Sequence, residues 1–405
     1  MKDCLNIGLF GAVINNGNLG CQALTYSIVA LLEEISKKDH INFNYYDFEW
    51  NADAQKTDEF QKRLGIGNSR VTSLKAGNFH DPLRALKHFP DNIRMQKTVK
   101  SCDLVIDLTE GDSFSDIYGN RRFEDGTAIK EIVEKLGTAL ILGSQTYGPY
   151  NKKANELRAA KVMQSAYAVI ARDQISADLV RKISGVTPIL TCDLAFRLPY
   201  VDHSADRSKA GKLHKVGFNV SGLLMSNGSE GVAMGSDKSF KLATDYDRYV
   251  DEVLKYLIGC GYEVHLIGHV AADYEVNKEL KKRYPEVVLA PEFDNPIDAK
   301  SYISGMDLFM GSRMHATIGA LTSNTPVIPV AYSRKFTGLF DSVDYPYVVD
   351  LQTLDTESAV KQIKDRIENY EDTKETTERS YQNAVQMNEE CYKVYEKLIL
   401  KILDK

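Results

Sequence analysis

The chain has 405 residues, enough for two domains with separate cores, and 43% hydrophobic with 26% charged residues is typical of a soluble globular enzyme. A formal net charge of -6 gives no support for nucleic acid as the main partner, because binding to a phosphate backbone requires a basic surface. The first apolar run is too short for a signal peptide and no run of about 18 apolar residues occurs, so we expect a cytoplasmic protein.

The chain opens with the pattern of a strand, a loop and a helix. Residues 5–10 are apolar, the loop GAVINNGNLGCQAL follows, and apolar residues then recur at helical spacing. Asn18 and its neighbouring glycines either let the backbone approach a ligand or form a tight turn, and the pattern leaves both open. Residues 41–48 predict a second strand, and residues 51–100 are charged and irregular.

The most basic stretch, HDPLRALKHFPDNIRMQKTVK, covers residues 80–100. Its cations interleave with apolar residues, namely Leu83, Leu86, Phe89, Ile93 and Met95. One interpretation is an amphipathic face that contacts anionic lipid headgroups at the inner face of the cytoplasmic membrane. The other interpretation is a solvated helix that packs on its domain.

Carboxylates follow the apolar strand that residues 103–108 predict. The loop TEGDSFSDIYG holds Glu110, Asp112 and Asp116, and side chains that follow a strand of a parallel sheet face the crevice at its carboxyl edge. There they can orient sugar hydroxyls or serve as a base. The spacing also suits Mg²⁺, but acidic residues in a loop do not suffice for a metal site, and the six scattered cysteines contain no CxxC pair. We therefore predict no bound metal.

Two further side chains stand at the ends of predicted strands. Arg172 follows the apolar residues 168–170 and precedes a helix, so it either faces a ligand or pairs with Asp173 on the surface. His269 follows the strand that residues 263–267 predict, in the later part of the chain. It is a second-rank candidate for a site residue at the end of that strand.

A polar segment at residues 202–215 separates two successive series of strands and helices and is the best candidate for a linker. We therefore predict an N-terminal α/β domain at residues 1–201 and a C-terminal α/β domain at residues 216–375. Residues 376–405 predict a helix that packs back on the N-terminal domain. The Gly- and Ser-rich loop at residues 221–240 is long enough for a lid or an acceptor-binding flap.

The stretch with the most chemically committed residues is YISGMDLFMGSRMHATIGALTSNTPVIPVAYSRKFTGL. Two apolar runs flank a helix that Ser312 can cap, which predicts a strand, a helix and a parallel strand. Both strands end at one edge of the sheet, so Arg313, His315 and Lys335 are expected at one crevice. The arginine and the helix N-terminus suit an anion, and the histidine can give and take a proton near neutral pH. The alternative is structural: Arg313 pairs with a carboxylate from the other half of the chain, and His315 only caps the helix or fills space in the packing.

The segment SRMHATIGALTSNTPVIPVAYSRKF resembles the signature of the polysaccharide pyruvyltransferase family: an Arg-x-His after a strand, a small-residue helix, a turn with proline, and a strand that ends in Tyr-x-x-Lys. Three other segments are similar to family motifs, a Gly-Asn-x-Gly at Asn18, a Gly-Asp loop at Asp112 and an Arg-Asp-x-x-Ser at Arg172.

The sequence departs from the family pattern at two places. Cys21 and Gln22 stand where many relatives carry an acidic pair, and Gly268 replaces the proline before the histidine. With these departures noted, the residues and the resemblance together predict the following roles: His315 and Asp112 catalytic; Arg172, Arg313, Lys335, Ser312 and His269 donor-binding; Asn18 and Asp116 acceptor-binding.

The resemblance implies an enzyme that moves the enolpyruvyl carbons of phosphoenolpyruvate onto a hexose of a capsule or exopolysaccharide precursor, as a cyclic ketal. The reaction requires no redox cofactor. The fold expected is two doubly wound parallel-sheet α/β domains facing across a cleft, called glycosyltransferase-B, with acceptor on the N-terminal and donor on the C-terminal side. The saccharide acceptor is lipid-linked, soluble or polymeric. Two alternatives remain: a nucleotide-sugar glycosyltransferase of the same architecture and a non-catalytic saccharide-binding protein.

Overall fold

The computed structural model describes residues 4–67, 70–76, 81–208, 212–226 and 241–403, and the chain divides into two compact units. Unit 1 comprises Met1–Asn16, Leu24–Arg197 and Met387–Lys405. Unit 2 comprises Gly17–Ala23 and Leu198–Gln386.

Unit 1 is built on a parallel sheet of seven strands in the order β3-β2-β1-β4-β5-β6-β7. The strands are β1 (Cys4–Phe10), β2 (Asn42–Glu49), β3 (Val71–Lys75), β4 (Leu104–Asp107), β5 (Ala139–Gln145), β6 (Ala168–Ala171) and β7 (Ile189–Leu190). The helices that connect them are α1 (Leu19–Asp39), α2 (Ala54–Leu64), α3 (Pro82–Lys87), α4 (Phe89–Ser101), α5 (Asn120–Lys135), α6 (Lys153–Ser165) and α7 (Gln174–Ser184). All four residues of β4 are buried, as expected for a parallel strand covered on both faces.

Unit 2 is built on a parallel sheet of six strands in the order β10-β9-β8-β11-β12-β13. The strands are β8 (Lys215–Asn219), β9 (Glu263–Leu266), β10 (Val288–Leu289), β11 (Leu308–Gly311), β12 (Val327–Ala331) and β13 (Val349–Asp350). The helices are α8 (Tyr246–Gly259), α9 (Ala271–Arg283), α10 (Pro296–Ser304), α11 (Met314–Leu321), α12 (Arg334–Ser342), α13 (Thr356–Glu368) and α14 (Tyr370–Leu403), the last of which continues into unit 1.

Each sheet has one position where the strand order reverses. In unit 1 it lies between β1 and β4, and in unit 2 between β8 and β11. The loops that leave the two central strands run to opposite sides at such a position, which opens a crevice at the carboxyl edge of the sheet. The fold therefore gives each unit one preferred place for a ligand.

The predicted fold class of two doubly wound parallel-sheet α/β domains is confirmed, and so is the strand, helix and parallel strand of β11, α11 and β12. The expectation of an irregular segment at residues 51–100 is wrong. That segment forms α2, β3, α3 and α4, because Asp53 caps α2 through hydrogen bonds to Gln55 and Lys56 and a left-handed Gly65 ends the helix.

Two predicted connecting segments have different outcomes. Arg207, within the proposed linker at residues 202–215, belongs to unit 2 and donates to the carbonyl oxygens of Ser304 and Asn324, both at 2.8 Å. Most of the proposed lid, residues 227–240, lies outside the described residues. Across the described residues, no helix combines the length and the hydropathy that crossing a membrane requires.

Candidate active site

The switch point of unit 2 gathers side chains from the ends of three strands. Asn219, the last residue of β8, donates from Nδ2 to the carbonyl oxygen of Ile267 at 2.8 Å. Its Oδ1 accepts a hydrogen bond from the backbone N–H of Arg313 at 2.9 Å. One buried amide thus fixes the chain after β9 relative to the chain after β11, where His269 and Arg313 lie.

Arg313 forms a buried ion pair with Asp273 in the same unit. Its Nη2 lies 2.7 Å from Oδ1 of Asp273, and Nε donates to both carboxylate oxygens at 3.2 Å. The Asp273 side chain is fully buried and also accepts from the backbone N–H groups of Gly222 and His269. The guanidinium is therefore held in one orientation, and the charge that it can offer to an anion is partly offset by its partner.

His269 is 5% exposed, and both of its ring nitrogens lack a hydrogen-bond partner within the described part of the chain. Burial, together with the nearby His315 and Arg313, lowers the pKa of His269 to about 3. The imidazole is thus neutral at physiological pH, with one N–H donor and one acceptor nitrogen. A buried polar group without a partner is costly, so this ring is suited to hydrogen-bond a ligand.

His315 lies in the first turn of α11 and is partly exposed. Its ring packs against Gly20 so closely that a Cβ atom at that position would overlap the imidazole. Asn18 holds this close approach in place, because its Oδ1 accepts from the N–H of Gly20 at 2.9 Å. The N–H of Leu19 in turn donates to the carbonyl oxygen of His269 at 3.2 Å. The predicted acceptor-binding residue Asn18 therefore lies in unit 2, beside the predicted donor-binding residue His269 and the predicted catalytic residue His315.

Ser312 does not cap α11, contrary to the prediction. The N-cap is Arg313, without a side-chain cap, because the N–H of Ser312 still donates to Asn219 in the pattern of the strand and the helix starts later. The buried hydroxyl oxygen of Ser312 instead accepts a hydrogen bond from Oη of Tyr246 at 3.1 Å. Lys335 is the second residue of α12, follows the neighbouring strand β12 and is partly exposed.

Arg172, Asp112 and Asp116 belong to unit 1. Arg172 is buried; its Nη1 lies 2.7 Å from Oδ2 of Asp193, and its Nε donates to Oγ1 of Thr146 at 2.8 Å. The surface pair of Arg172 with Asp173, considered from the sequence, is replaced by this buried pair, and Asp173 caps α7.

The two carboxylates of the loop after β4 have local partners. Oδ2 of Asp112 accepts from Oη of Tyr118 at 2.8 Å. Asp116 accepts from the N–H groups of Asn151 and Lys152 and from the side chain of Asn155. Burial acts to raise the pKa of Asp116, but these hydrogen bonds outweigh it and the pKa is lowered. Asp116 thereby fixes the start of α6.

Sequence reasoning missed Asp273 and Asn219, on which the unit 2 site depends. A signal existed for Asn219, which is a polar residue inside the apolar run VGFNV and at the carboxyl end of a strand. Asp273 had no such signal, because it lies on α9 and its pairing with Arg313 arises only in the folded chain. In the described ranges no group of three or more His, Cys, Asp or Glu side chains is arranged to hold a metal ion.

The sequence profile of the polysaccharide pyruvyl transferase family matches residues 18–334, which include Asn18, Arg172 and the segment from Arg313 to the end of β12. The chain belongs to this family. As a polysaccharide pyruvyl transferase it is an enzyme with a pyruvyl-transfer role in polysaccharide synthesis. Its sequence is also 21% identical over 315 residues to the amylovoran biosynthesis protein AmsJ of Erwinia amylovora. The matched region covers 73% of this chain and 71% of that protein.

Solved structures show that this transferase shares its fold with glycosyltransferase-B-type enzymes. A UDP-GlcNAc 2-epimerase from Neisseria meningitidis bound to UDP-GlcNAc superimposes with a TM-score of 0.59 at 12% identity, over 99% of this chain and 100% of that one. An α,α-trehalose 6-phosphate synthase from Burkholderia multivorans superimposes with a TM-score of 0.53 at 7% identity, over 100% of this chain and 97% of that one.

Proposed function

We propose that this transferase uses phosphoenolpyruvate as donor and converts two hydroxyls of a hexose into a cyclic pyruvate ketal, on a precursor of a capsule or exopolysaccharide. The donor is held in unit 2 at the carboxyl edge of its sheet, by Arg313, Ser312, Lys335 and the two histidines. Phosphate and the ketal are the products.

The observation that supports this proposal best is the unlike pair of histidines beside Arg313. His269 is buried and neutral, whereas His315 is partly exposed and follows a helix N-terminus. Because burial keeps His269 neutral, we assign the proton transfer to His315, which is partly exposed. One imidazole then hydrogen-bonds the donor and the other transfers a proton.

The reaction follows from these roles. Protonated His315 gives its proton to the methylene carbon of phosphoenolpyruvate, which makes the adjacent carbon cation-like. One sugar hydroxyl adds to that carbon, the C–O bond to the phosphate breaks, and a second hydroxyl oxygen closes the ketal. Of the two hydroxyl protons, one replaces the proton that His315 gave and the other leaves with the phosphate. Arg313, with Asp273 fixing its orientation, and Lys335 offset the negative charge of the donor.

In unit 1 we propose that the catalytic role of Asp112 is exerted through Tyr118. Oδ2 of Asp112 accepts a hydrogen bond from the Tyr118 hydroxyl at 2.8 Å. Arg172 is held by Asp193 in a buried pair, which supports an oriented guanidinium next to Gly111 rather than a freely moving cation. Asp116 accepts hydrogen bonds from three donors of its own unit. We therefore propose that it contributes to acceptor binding indirectly, through the loop that it anchors.

We also propose a lipid-linked acceptor, for which α3 and α4 provide support. Leu83 and Leu86 are 80% and 73% exposed, and Phe89 and Ile93 are exposed as well, while Met95 alone of the five predicted apolar residues is buried. Exposed Lys87, Arg94, Lys97 and Lys100 accompany them. An apolar face with cations at its margins suits the surface of an anionic bilayer, on which a lipid-linked saccharide would be presented.

Calorimetric binding of phosphoenolpyruvate, with UDP and UDP-sugars as competitors, tests the donor. The informative variant is Arg313→Lys, because it keeps a charge beside buried Asp273 while it removes the planar fork, whereas alanine would leave that carboxylate unpaired. Arg248→Lys, at an exposed arginine of α8, is the matched control. We expect binding of phosphoenolpyruvate by wild type and control, weakened in Arg313→Lys and unaffected by nucleotides.

His315→Gln tests the proton-transfer role separately. This variant should bind phosphoenolpyruvate but release no phosphate when an acceptor saccharide is added, and the acceptor should gain no mass equal to one pyruvate ketal. Binding of UDP without binding of phosphoenolpyruvate would overturn the proposal in favour of a nucleotide-sugar glycosyltransferase.

A further inference from the structure

A cavity of about 400 Å³ lies in unit 1, at the switch point between β1 and β4. Its lining comes from the carboxyl ends of β1, β2 and β4, from the residue after β3, and from α5. The volume falls in the range of small-molecule sites, about 300–1,000 Å³. None of the roles that the family resemblance implies lies on the residues that line it.

Each of the three cations that line this cavity is paired with a carboxylate. Lys130 pairs with Asp107 at 2.5 Å, Arg122 with Glu110 at 2.8 Å, and Arg121 with Asp125 at 3.8 Å. The remaining lining carboxylate is Glu49, whose pKa burial raises. Among the lining residues that the structure describes, no unpaired cation is available to attract a phosphate or a carboxylate, so the cavity does not suit an anion. Ion pairs that line a cavity instead present paired donors and acceptors, which match neighbouring hydroxyl groups.

The cavity also offers aromatic faces. Trp50, the one tryptophan of the chain, follows β2 and is 50% exposed, and Tyr118 lies with its ring under the guanidinium of Arg122, 5.4 Å from it. A flat ring that combines apolar area with polar groups nearby is suited to a ligand with both characters, such as a pyranose with C–H groups on its faces and hydroxyls on its rim.

The backbone at the cavity is strained in a way that supports a ligand site. Thr109 and Glu110, both lining residues, have φ angles of +42° and +51°, a conformation that non-glycine residues rarely adopt. In this conformation Oε2 of Glu110 accepts from Nη2 of Arg122 at 2.8 Å, and the N–H and the hydroxyl of Thr109 donate to Asp107. Strain of this kind persists where surrounding structure holds it, and it is concentrated at binding sites.

We propose that this cavity binds a neutral, hydroxyl-rich saccharide, with the sugar ring against Trp50 and its hydroxyls on the Arg122–Glu110 and Lys130–Asp107 pairs. The assignment of this sugar as the acceptor of pyruvyl transfer rests on the proposed function. The binding itself does not, because it follows from the cavity, its paired cations and its aromatic lining residues.

Trp50 allows a direct test, because its emission reports on the cavity without interference from another tryptophan. Methyl glycosides of glucose, galactose, mannose and N-acetylglucosamine are titrated into the full chain while tryptophan fluorescence is followed. Saturation-transfer NMR repeats the measurement for Trp50→Ala and Arg122→Gln. We expect a saturable change in emission with at least one glycoside and a loss of affinity of about tenfold or more in each variant.

Arg158→Gln is the matched control, because Arg158 forms a comparable pair with Glu131 on the outside of α5 and α6 and does not line the cavity. Its saccharide affinity should equal that of wild type. Phosphoenolpyruvate binding is measured on the same variants and should be unchanged in Trp50→Ala.

The outcomes separate the two proposals. Saccharide binding that depends on Trp50, with no phosphoenolpyruvate binding anywhere, would leave the cavity assignment standing and overturn the proposed donor. No response to any glycoside, or a response of Trp50 to inorganic phosphate in place of sugars, would overturn the cavity assignment and leave the donor proposal intact.

Discussion

Gly20 is the residue whose substitution tests the site most cleanly, because its missing side chain is what lets the ring of His315 pack against α1. Gly20→Ala should displace the imidazole and reduce turnover by about tenfold or more, while unfolding by denaturant changes little, since a side chain rather than backbone must move. Turnover is measured as phosphate release.

The matched control for this substitution lies three residues earlier. A Cβ atom at Gly17 would meet no other atom within 4 Å, so Gly17→Ala should keep the turnover of wild type. Equal losses in both variants would mean that an added methyl group anywhere in the segment Gly17–Ala23, and not the position of His315, explains the effect.

His269 gives the protein an acid sensitivity with a defined sign. Its pKa is about 3 in the folded chain and about 6.5 when unfolded, so below pH 6.5 the unfolded chain binds a proton that the native chain does not. The free energy of unfolding therefore falls as the pH falls through this window, by about 3 kcal/mol at about pH 4.5.

Replacing His269 with asparagine should remove this contribution. Urea unfolding near pH 7 and near pH 4.5 then measures how the difference in stability between wild type and variant changes. On acidification we expect the free energy of unfolding of wild type to fall relative to that of His269→Asn. A difference that stays constant between the two pH values would contradict a buried neutral imidazole.

At the scale of elements, α3 carries two exposed leucines, Leu83 and Leu86, that a helix packed on a domain would bury. Leu83→Glu with Leu86→Glu should abolish co-sedimentation with vesicles that contain phosphatidylglycerol, because two apolar anchors are lost and two repelling charges are gained. Leu157→Glu, at an exposed leucine of α6, is the control that should still sediment. Absence of wild-type sedimentation, or equal sedimentation of the double variant, would contradict membrane contact.

The sequence allowed the elements around the sites to be predicted, but not the partners of the side chains within them. Apolar runs such as those of β11 and β12 are local patterns, and a parallel sheet then places the residues that follow them at one edge. The pairs Arg313–Asp273 and Arg172–Asp193 join residues that are distant in the chain, so no local pattern contains them. The approach of Gly20 to His315 is of the same kind, and the cavity of unit 1 could not be predicted because it arises from four strand ends together.

For the whole molecule, the two proposed ligands should protect different parts of the chain. Phosphoenolpyruvate is expected to slow amide hydrogen exchange after β8 and in the first turn of α11, and a bound saccharide to slow it after β2 and β4. Each ligand stabilises the state that binds it, by about 2.7 kcal/mol at a hundredfold excess over its dissociation constant. Exchange followed by mass spectrometry checks this, and protection by phosphoenolpyruvate confined to unit 1 would contradict a donor site in unit 2.

The small segment Gly17–Ala23 has a consequence for how such enzymes diversify. It precedes nearly all of unit 1 in the chain, yet it belongs to unit 2 and places Gly20 against His315. A gene that begins at Leu198 would encode the second sheet but not the residues that complete its site. The C-terminal half alone therefore does not encode a complete unit 2. Recombination that exchanged only this half between relatives would combine His315 from one parent with the residue at position 20 from the other. That residue would have to leave room for the imidazole.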